Sequence, residues 1–293
     1  MKALFPLLLL SAGALAQQPE KLSARVYVAL PGPDLELDTR SKYGDFDYEA
    51  NNAPQPGFEI RYGDYGFGMT PSFFGTSRDY GSKSPTKFFD LSAYYYGSSW
   101  GAYAYLQYYR GFHTWGDTLN LDKSSLSIGS FDVNVYRPIS PRSRVSSLVE
   151  GRDHNGVEFN AYYLLSASRH RLDVATSLLG YDSAGDASHL DELRHMTLME
   201  VSAAIGGGMN AYLWGFYCDP SFFIGAGPQY REANIPISSF GRTLKADLKF
   251  NAGFQGKHLG AGMELEDDSN NSESEESISF DNISVKLFLS LVF

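Results

Sequence analysis

The chain has 293 residues, a formal net charge of −10 and a single cysteine, Cys218. The acidic balance argues against nucleic acid as a partner, because phosphate binding needs clustered Lys and Arg, and one cysteine excludes a disulfide framework. The 20 Tyr, 20 Phe and 29 Gly suit strands that end in aromatic girdles and pack closely through glycine.

Residues 1–16 read as a secretory signal peptide. Met1 and Lys2 give a positive start, Ala3 to Leu10 an apolar run, and Ala14-Leu15-Ala16 a small-residue cleavage site, which leaves 17–293 as one barrel domain. The apolar run is too short to cross a bilayer core of about 30 Å as a helix. No later stretch reaches the ~18 apolar residues of a membrane helix.

Segments of period two follow at 22–30, 57–62, 65–75, 88–97 and 99–110. Leu126 to Tyr136 reads as a strand pair or part of a plug. Further segments fall at 157–167, 171–180, 199–217, 221–231, 242–255, 257–266 and 282–293, and Gly206-Gly207-Gly208 marks a kink or bulge in the long one. This predicts an all-β fold, a closed antiparallel transmembrane β-barrel of about twelve strands. Ten or fourteen remain open, because 188–205 also suits a helix ahead of its strand.

The connections alternate in length. Short ones fall at Gly63-Asp64, Ser98, Ser168-Arg169-His170, Cys218-Asp219-Pro220 and Gln255-Gly256-Lys257. Long ones include Pro31 to Pro56, Gly111 to Gly156, Tyr181 to Leu198 and the acidic Glu264 to Glu276, which carries seven carboxylates and no base and is expected to be a hydrated loop. Short turns on the side of the termini and longer loops on the other are the habit of outer-membrane barrels.

In this register Lys245, Asp247, Lys249, Glu264 and Lys286 fall on the inward, polar face. Tyr95, Trp100, Tyr108, Trp214 and Tyr217 fall where interfacial girdles belong. The last strand alternates Ile283, Val285, Leu287, Leu289, Leu291 and Phe293 against Ser284, Lys286 and Ser290. A strand of this kind closing on an aromatic carboxyl terminus resembles the assembly signal of bacterial outer-membrane barrels. That resemblance implies a Gram-negative outer membrane reached by secretion, with outer-membrane lipid and the barrel-assembly machinery as partners.

Within that class, 89–112 and 156–181 are similar to a domain-of-unknown-function family of barrels. Its YY-R-G-F segment is matched by Tyr108, Tyr109, Arg110, Gly111 and Phe112, and its N-x-YY segment starts at Asn160. The downstream Ser-rich pattern is reduced to Thr176 and Ser177. The OmpV-like scaffold-interacting barrels are the runner-up in size and ending. Either resemblance implies a barrel without a known activity.

Catalytic and metal chemistry find little footing. Asp153-His154-Asn155-Gly156 approaches the H-x-S-N-G motif of outer-membrane phospholipases but lacks the serine. Of His189, Asp191, Glu192 and His195 only Asp191 and His195 share a helix face, and two ligands make a weak site; the acidic run lacks EF-hand spacing, so no catalytic, metal or cofactor residue is expected. The first functional expectation is a non-enzymatic narrow channel or uptake barrel for small solutes. The alternative is a structural or surface-interaction barrel acting through its long loops, and a lipid hydrolase is a distant third.

Overall fold

The computed structural model describes residues 22–38, 46–50, 53–71, 86–114, 122–140, 143–145, 155–175, 192–235, 239–273 and 277–293. The expected signal peptide lies outside these residues. The chain runs through β1 (Leu22–Asp38), β2 (Phe46–Ala50), β3 (Gln55–Tyr62), β4 (Tyr65–Pro71), β5 (Lys87–Tyr96), β6 (Gly101–Thr114), β7 (Asp122–Pro138), β8 (Gly156–Asp173), β9 (His195–Leu213), β10 (Phe216–Ala233), β11 (Phe240–Gln255), β12 (Leu259–Glu273) and β13 (Ser277–Val292).

Twelve of these strands form the wall. Each pairs antiparallel with its neighbour, and β13 returns to β1 along a register from Ser23↔Val292 to Asp38↔Ser277, which closes the cylinder. Closure pairs every strand on both sides and removes the sheet edges. The thirteenth, β2, is five residues long and bridges β1 to β6 above the shorter β3, β4 and β5.

The count of twelve agrees with the sequence reading, although two elements differ. The segment 157–167 and the start of 171–180, as far as Asp173, are one strand, β8, with Ser168-Arg169-His170 inside it; 176–180 lie outside the described residues. Leu126 to Tyr136 is a single strand, β7. Three basic or small residues in a row imitate a turn, but Arg169 and Arg171 are exposed while His170 is buried, which is ordinary strand alternation.

Cys218-Asp219-Pro220 likewise lies within β10. The turn is Trp214-Gly215, both at positive φ (52° and 91°), as a two-residue hairpin requires. Pro220 and Pro228 interrupt the β9 ladder without shifting its register. Gly206-Gly207-Gly208 also stays in register, opposite Phe223, Phe222 and Ser221, so the triplet makes no bulge. The bulge lies elsewhere, between Arg110 and Phe112, where Gly111 has φ 92°.

Connection lengths follow the expected alternation only in part. Gly63-Asp64, Trp214-Gly215 and 256–258 are short and lie on the side of the termini, but 139–155, between β7 and β8, lies there too. On the opposite rim the acidic stretch is no loop, because Glu264 to Glu273 belong to β12 and only 274–276 separate it from β13.

The wall is apolar outside. Val26, Val28, Phe159, Leu165, Ile205, Ile224, Leu287 and Leu289 are each about half exposed or more, with Phe159 at 78%. An exposed apolar patch this extensive is foreign to a monomer in water. It is what a wall facing hydrocarbon needs.

Candidate functional site

The barrel interior holds the chemistry-bearing side chains. Alternation sends odd-numbered residues of β11 and even-numbered residues of β12 and β13 inward, so lysines and carboxylates of adjacent strands meet directly. Glu264 pairs in register with Lys286, and Lys249 with Glu266. Lys286 Nζ lies 2.6 Å from Glu264 Oε1, and Lys249 Nζ 2.6 Å from Glu266 Oε1. Lys245 is the most buried of these lysines, 2.6 Å from Asp268 Oδ1 and 3.0 Å from Asp247 Oδ1. Each of these buried lysines therefore has an opposite partner, the condition under which burial is tolerated. All five residues expected on the lumen face lie there, but their partners Glu266 and Asp268 come from the run that reads as a loop.

Cations also sit over rings. Arg25 is 4.5 Å above Phe288 and lies 3.8 Å from Glu59, and Lys249 is 4.8 Å above Tyr103. Tyr94 donates to Glu59 at 2.7 Å. Farther round, Gln229 donates to Glu200, Arg231 to Gln229 at 2.7 Å, and Tyr109 to Asp90 at 3.0 Å.

Three side chains invisible as a group in the sequence also meet here. His170 Nδ1 lies 2.9 Å from Ser130 Oγ, its Nε2 3.9 Å from Asp132 Oδ1, and its ring stacks on Phe280 at 4.9 Å. The residue types are those of a hydrolase triad. The aspartate is too distant for a hydrogen bond, and all three residues are buried in a packed interior. Their cavity measures about 30 Å³, room for two or three waters at about 10–15 Å³ each, so the group reads as polar packing.

Apolar and aromatic clusters close the lumen on either side of this polar layer. Toward the rim opposite the termini, Leu35, Tyr48, Phe112, Leu126, Leu172, Leu193 and Met196 pack together. Toward the termini, Tyr94, Tyr96, Tyr136, Tyr162, Leu164 and Phe223 surround Val145. Val145 belongs to the 139–155 connection, and Tyr162 anchors this segment by donating to the Arg144 carbonyl at 3.1 Å. A segment of that connection thus plugs the mouth, a role the sequence suggests for 126–136.

The expected interface aromatics divide. Tyr95 is on the outer wall, its ring 5.0 Å from Tyr65 and 4.6 Å from Trp100. Tyr108, Trp100 and Trp214 are exposed, Trp214 most at 77%. Tyr217 is corrected: it is buried inside with Tyr27, Ala29 and Phe288, because the turn at Trp214-Gly215 sends Phe216 outward and Tyr217 inward. The expected assembly strand is β13, with Ile283, Leu287, Leu289, Leu291 and Phe293 exposed. Phe293 donates its amide to Leu22 O at 2.9 Å across the seam.

Asp153, His154, His189 and Asp191 lie outside the described residues. Asn155 accepts from the Trp214 amide at 2.8 Å and so supports the hairpin turn. Among the described residues no group of three or more His, Cys, Asp or Glu is arranged to hold a metal.

A closed antiparallel barrel, apolar outside and polar within, is thus the class of structure this chain adopts. No protein-family model and no curated protein matches the chain. Solved structures similar to it include the outer membrane protease OmpT from Escherichia coli (11% identity, 96% of this chain and 99% of that one, TM-score 0.38). The β-domain of the Bordetella autotransporter BrkA is similar at 12% identity, 94% and 100% coverage and TM-score 0.40. The Pseudomonas putida toluene transporter TodX follows at 9% identity, 94% and 90% coverage and TM-score 0.27. Likeness at this level assigns no activity to the chain.

Proposed function

We propose that this chain is an outer-membrane barrel whose interior is a structural core, so that its work is done on the surfaces it presents outside the cell. The observation that carries this reading is the filled lumen: ion pairs and hydrogen bonds at mid-height, with an apolar cluster toward each mouth. Small barrels are filled by side chains and much larger ones leave an aqueous channel. Twelve strands could do either, and here inward Tyr and Phe rings supply the volume. The apolar outer wall supports the membrane location.

The channel reading keeps one supporting feature, the polar middle layer, which would suit a small solute were Val145 and its segment to swing away. Planar-bilayer recording separates the two. The core reading expects no conductance steps from folded protein, and a steady, salt-dependent conductance would replace it with the channel.

A further inference from the structure

The outer wall carries one strongly basic groove. It lies at the rim opposite the termini, across β6, β7, β8 and the start of β9, and has a volume of about 500 Å³. Arg110, Arg171, Arg194 and His195 line it, with Asp173 as the one carboxylate among the lining residues. The three arginines and one aspartate leave two positive charges there, in a chain whose net charge is −10.

Register explains the concentration. Arg110 lies opposite Ser127, Ser127 opposite Asp173, and Asp173 opposite His195, so all four are outward neighbours. One step closer to the barrel waist, Tyr108 pairs with Gly129 and Gly129 with Arg171. Gly129 has no side chain, and a Cβ there would find nothing nearer than the Tyr108 ring at 3.9 Å. This leaves an open floor between the two arginine-bearing strands.

The walls are held in place. Asp173 accepts from Arg171 Nε at 2.8 Å and Nη2 at 3.2 Å. A guanidinium has five N–H donors, and among the described residues this pair engages two of them, which orients the cation. Asn234 Oδ1 accepts from the amides of Arg194 and His195 at 2.8 and 3.0 Å, and Val174 N donates to Arg194 O at 2.8 Å, fixing the far side.

Below the groove the outward row holds Leu106, Phe131, Arg169 and Met199, and the face turns wholly apolar one row further down, at Ala104, Val133, Ala167 and Val201. The basic residues therefore sit at the boundary between the apolar belt and the polar rim. In a bilayer that is the depth of lipid headgroups, where Tyr and Arg favour the interface.

We propose that this groove binds the phosphate of an outer-leaflet lipid headgroup, with Arg110 and Arg171 as the principal ligands and the acyl chains lying along the apolar wall beneath. The site rests on reading the outer wall as lipid-facing. Charge-assisted hydrogen bonds from guanidinium to phosphate are the strongest this surface offers.

The test is native mass spectrometry of the full chain in nonionic detergent, titrated with dioleoyl phosphatidic acid. Phosphatidylcholine and sodium phosphate serve as separate competitors. The expected result is retention of phosphatidic acid, a loss of affinity of about tenfold or more in R110Q/R171Q, and binding kept in R110K/R171K. Both sites are outward, so the variants should keep the wild-type unfolding midpoint. Equal binding by R110Q/R171Q, no phosphatidic acid retention, or full displacement by equimolar sodium phosphate or phosphatidylcholine would each overturn the lipid-phosphate site. A chain that stayed monodisperse without detergent would instead remove the membrane reading on which the site rests.

Discussion

Lys286 and Glu264 stand directly opposite each other on β13 and β12, and their side chains meet inside the barrel at 2.6 Å. Lys249 and Glu266 repeat the arrangement on β11 and β12. The last three strands are therefore joined through their inward faces as well as through their backbones. Removing one member of such a pair strands the other charge in a packed interior. We expect Lys245→Met, which deprives both Asp247 and Asp268 of their cation, to destabilise the fold by about 3 kcal/mol. The triple variant with Asp247→Asn and Asp268→Asn should recover much of that loss. Denaturant unfolding in lipid vesicles checks both.

Gly206 and Phe223 form a small-to-large contact in the lumen. A Cβ on residue 206 would come 2.2 Å from Phe222 O and 2.5 Å from the Phe223 ring. Backbone cannot yield as a flexible side chain can. Gly206→Ala should cost about 1–3 kcal/mol by overpacking, whereas Gly156→Ala, with nothing within 4 Å, should leave the unfolding midpoint within experimental error.

The plug has its own signature. Val145 is fully buried among tyrosines and is carried by a connection, not a strand. Val145→Asp should release the segment, because a solvated carboxylate is cheaper than a buried one. Hydrogen exchange at Ser143 to Val145 should rise tenfold or more, with exchange in β7 and β8 unchanged. If exchange at 143–145 matches wild type, these residues are not held by the packing described.

Much of this fold is legible in the sequence where alternation is clean. The strands 242–255 and 282–293 show apolar residues on one parity and Lys, Asp or Ser on the other, and β11 and β13 follow them closely. Legibility fails where the lumen demands polarity. The acidic run looks solvated because Asp267, Ser269 and Asn271 break the apolar parity of β12 near its rim end. Only pairing with β11 and β13 shows that Glu264, Glu266 and Asp268 have lysines waiting. The Trp214-Gly215 turn is hidden for another reason. Tryptophan at positive φ lacks the Asn-Gly signature of two-residue hairpins, while Cys218-Asp219-Pro220 carries turn residues without making a turn. The Ser130, His170 and Asp132 group is a product of register alone.

The outer wall offers a direct energetic test. Leu287 is 61% exposed, between Val28 and Met263 on its neighbouring strands. On a surface in water Leu287→Arg would change stability by about 0.5 kcal/mol at most. On a wall in hydrocarbon it should cost about 2–4 kcal/mol, measured by unfolding from vesicles.

Nitroxide accessibility in reconstituted vesicles tests the lipid-facing wall most directly. With Cys218 replaced by Ala, spin labels at Val28, Phe159, Ile224 and Leu287 should relax strongly with oxygen and weakly with a water-soluble nickel chelate. Labels at Thr243 and Ser284, both buried inside, should respond little to either. Nickel accessibility exceeding oxygen accessibility at the four outward positions would mean that water wets this wall, and the membrane barrel would be contradicted.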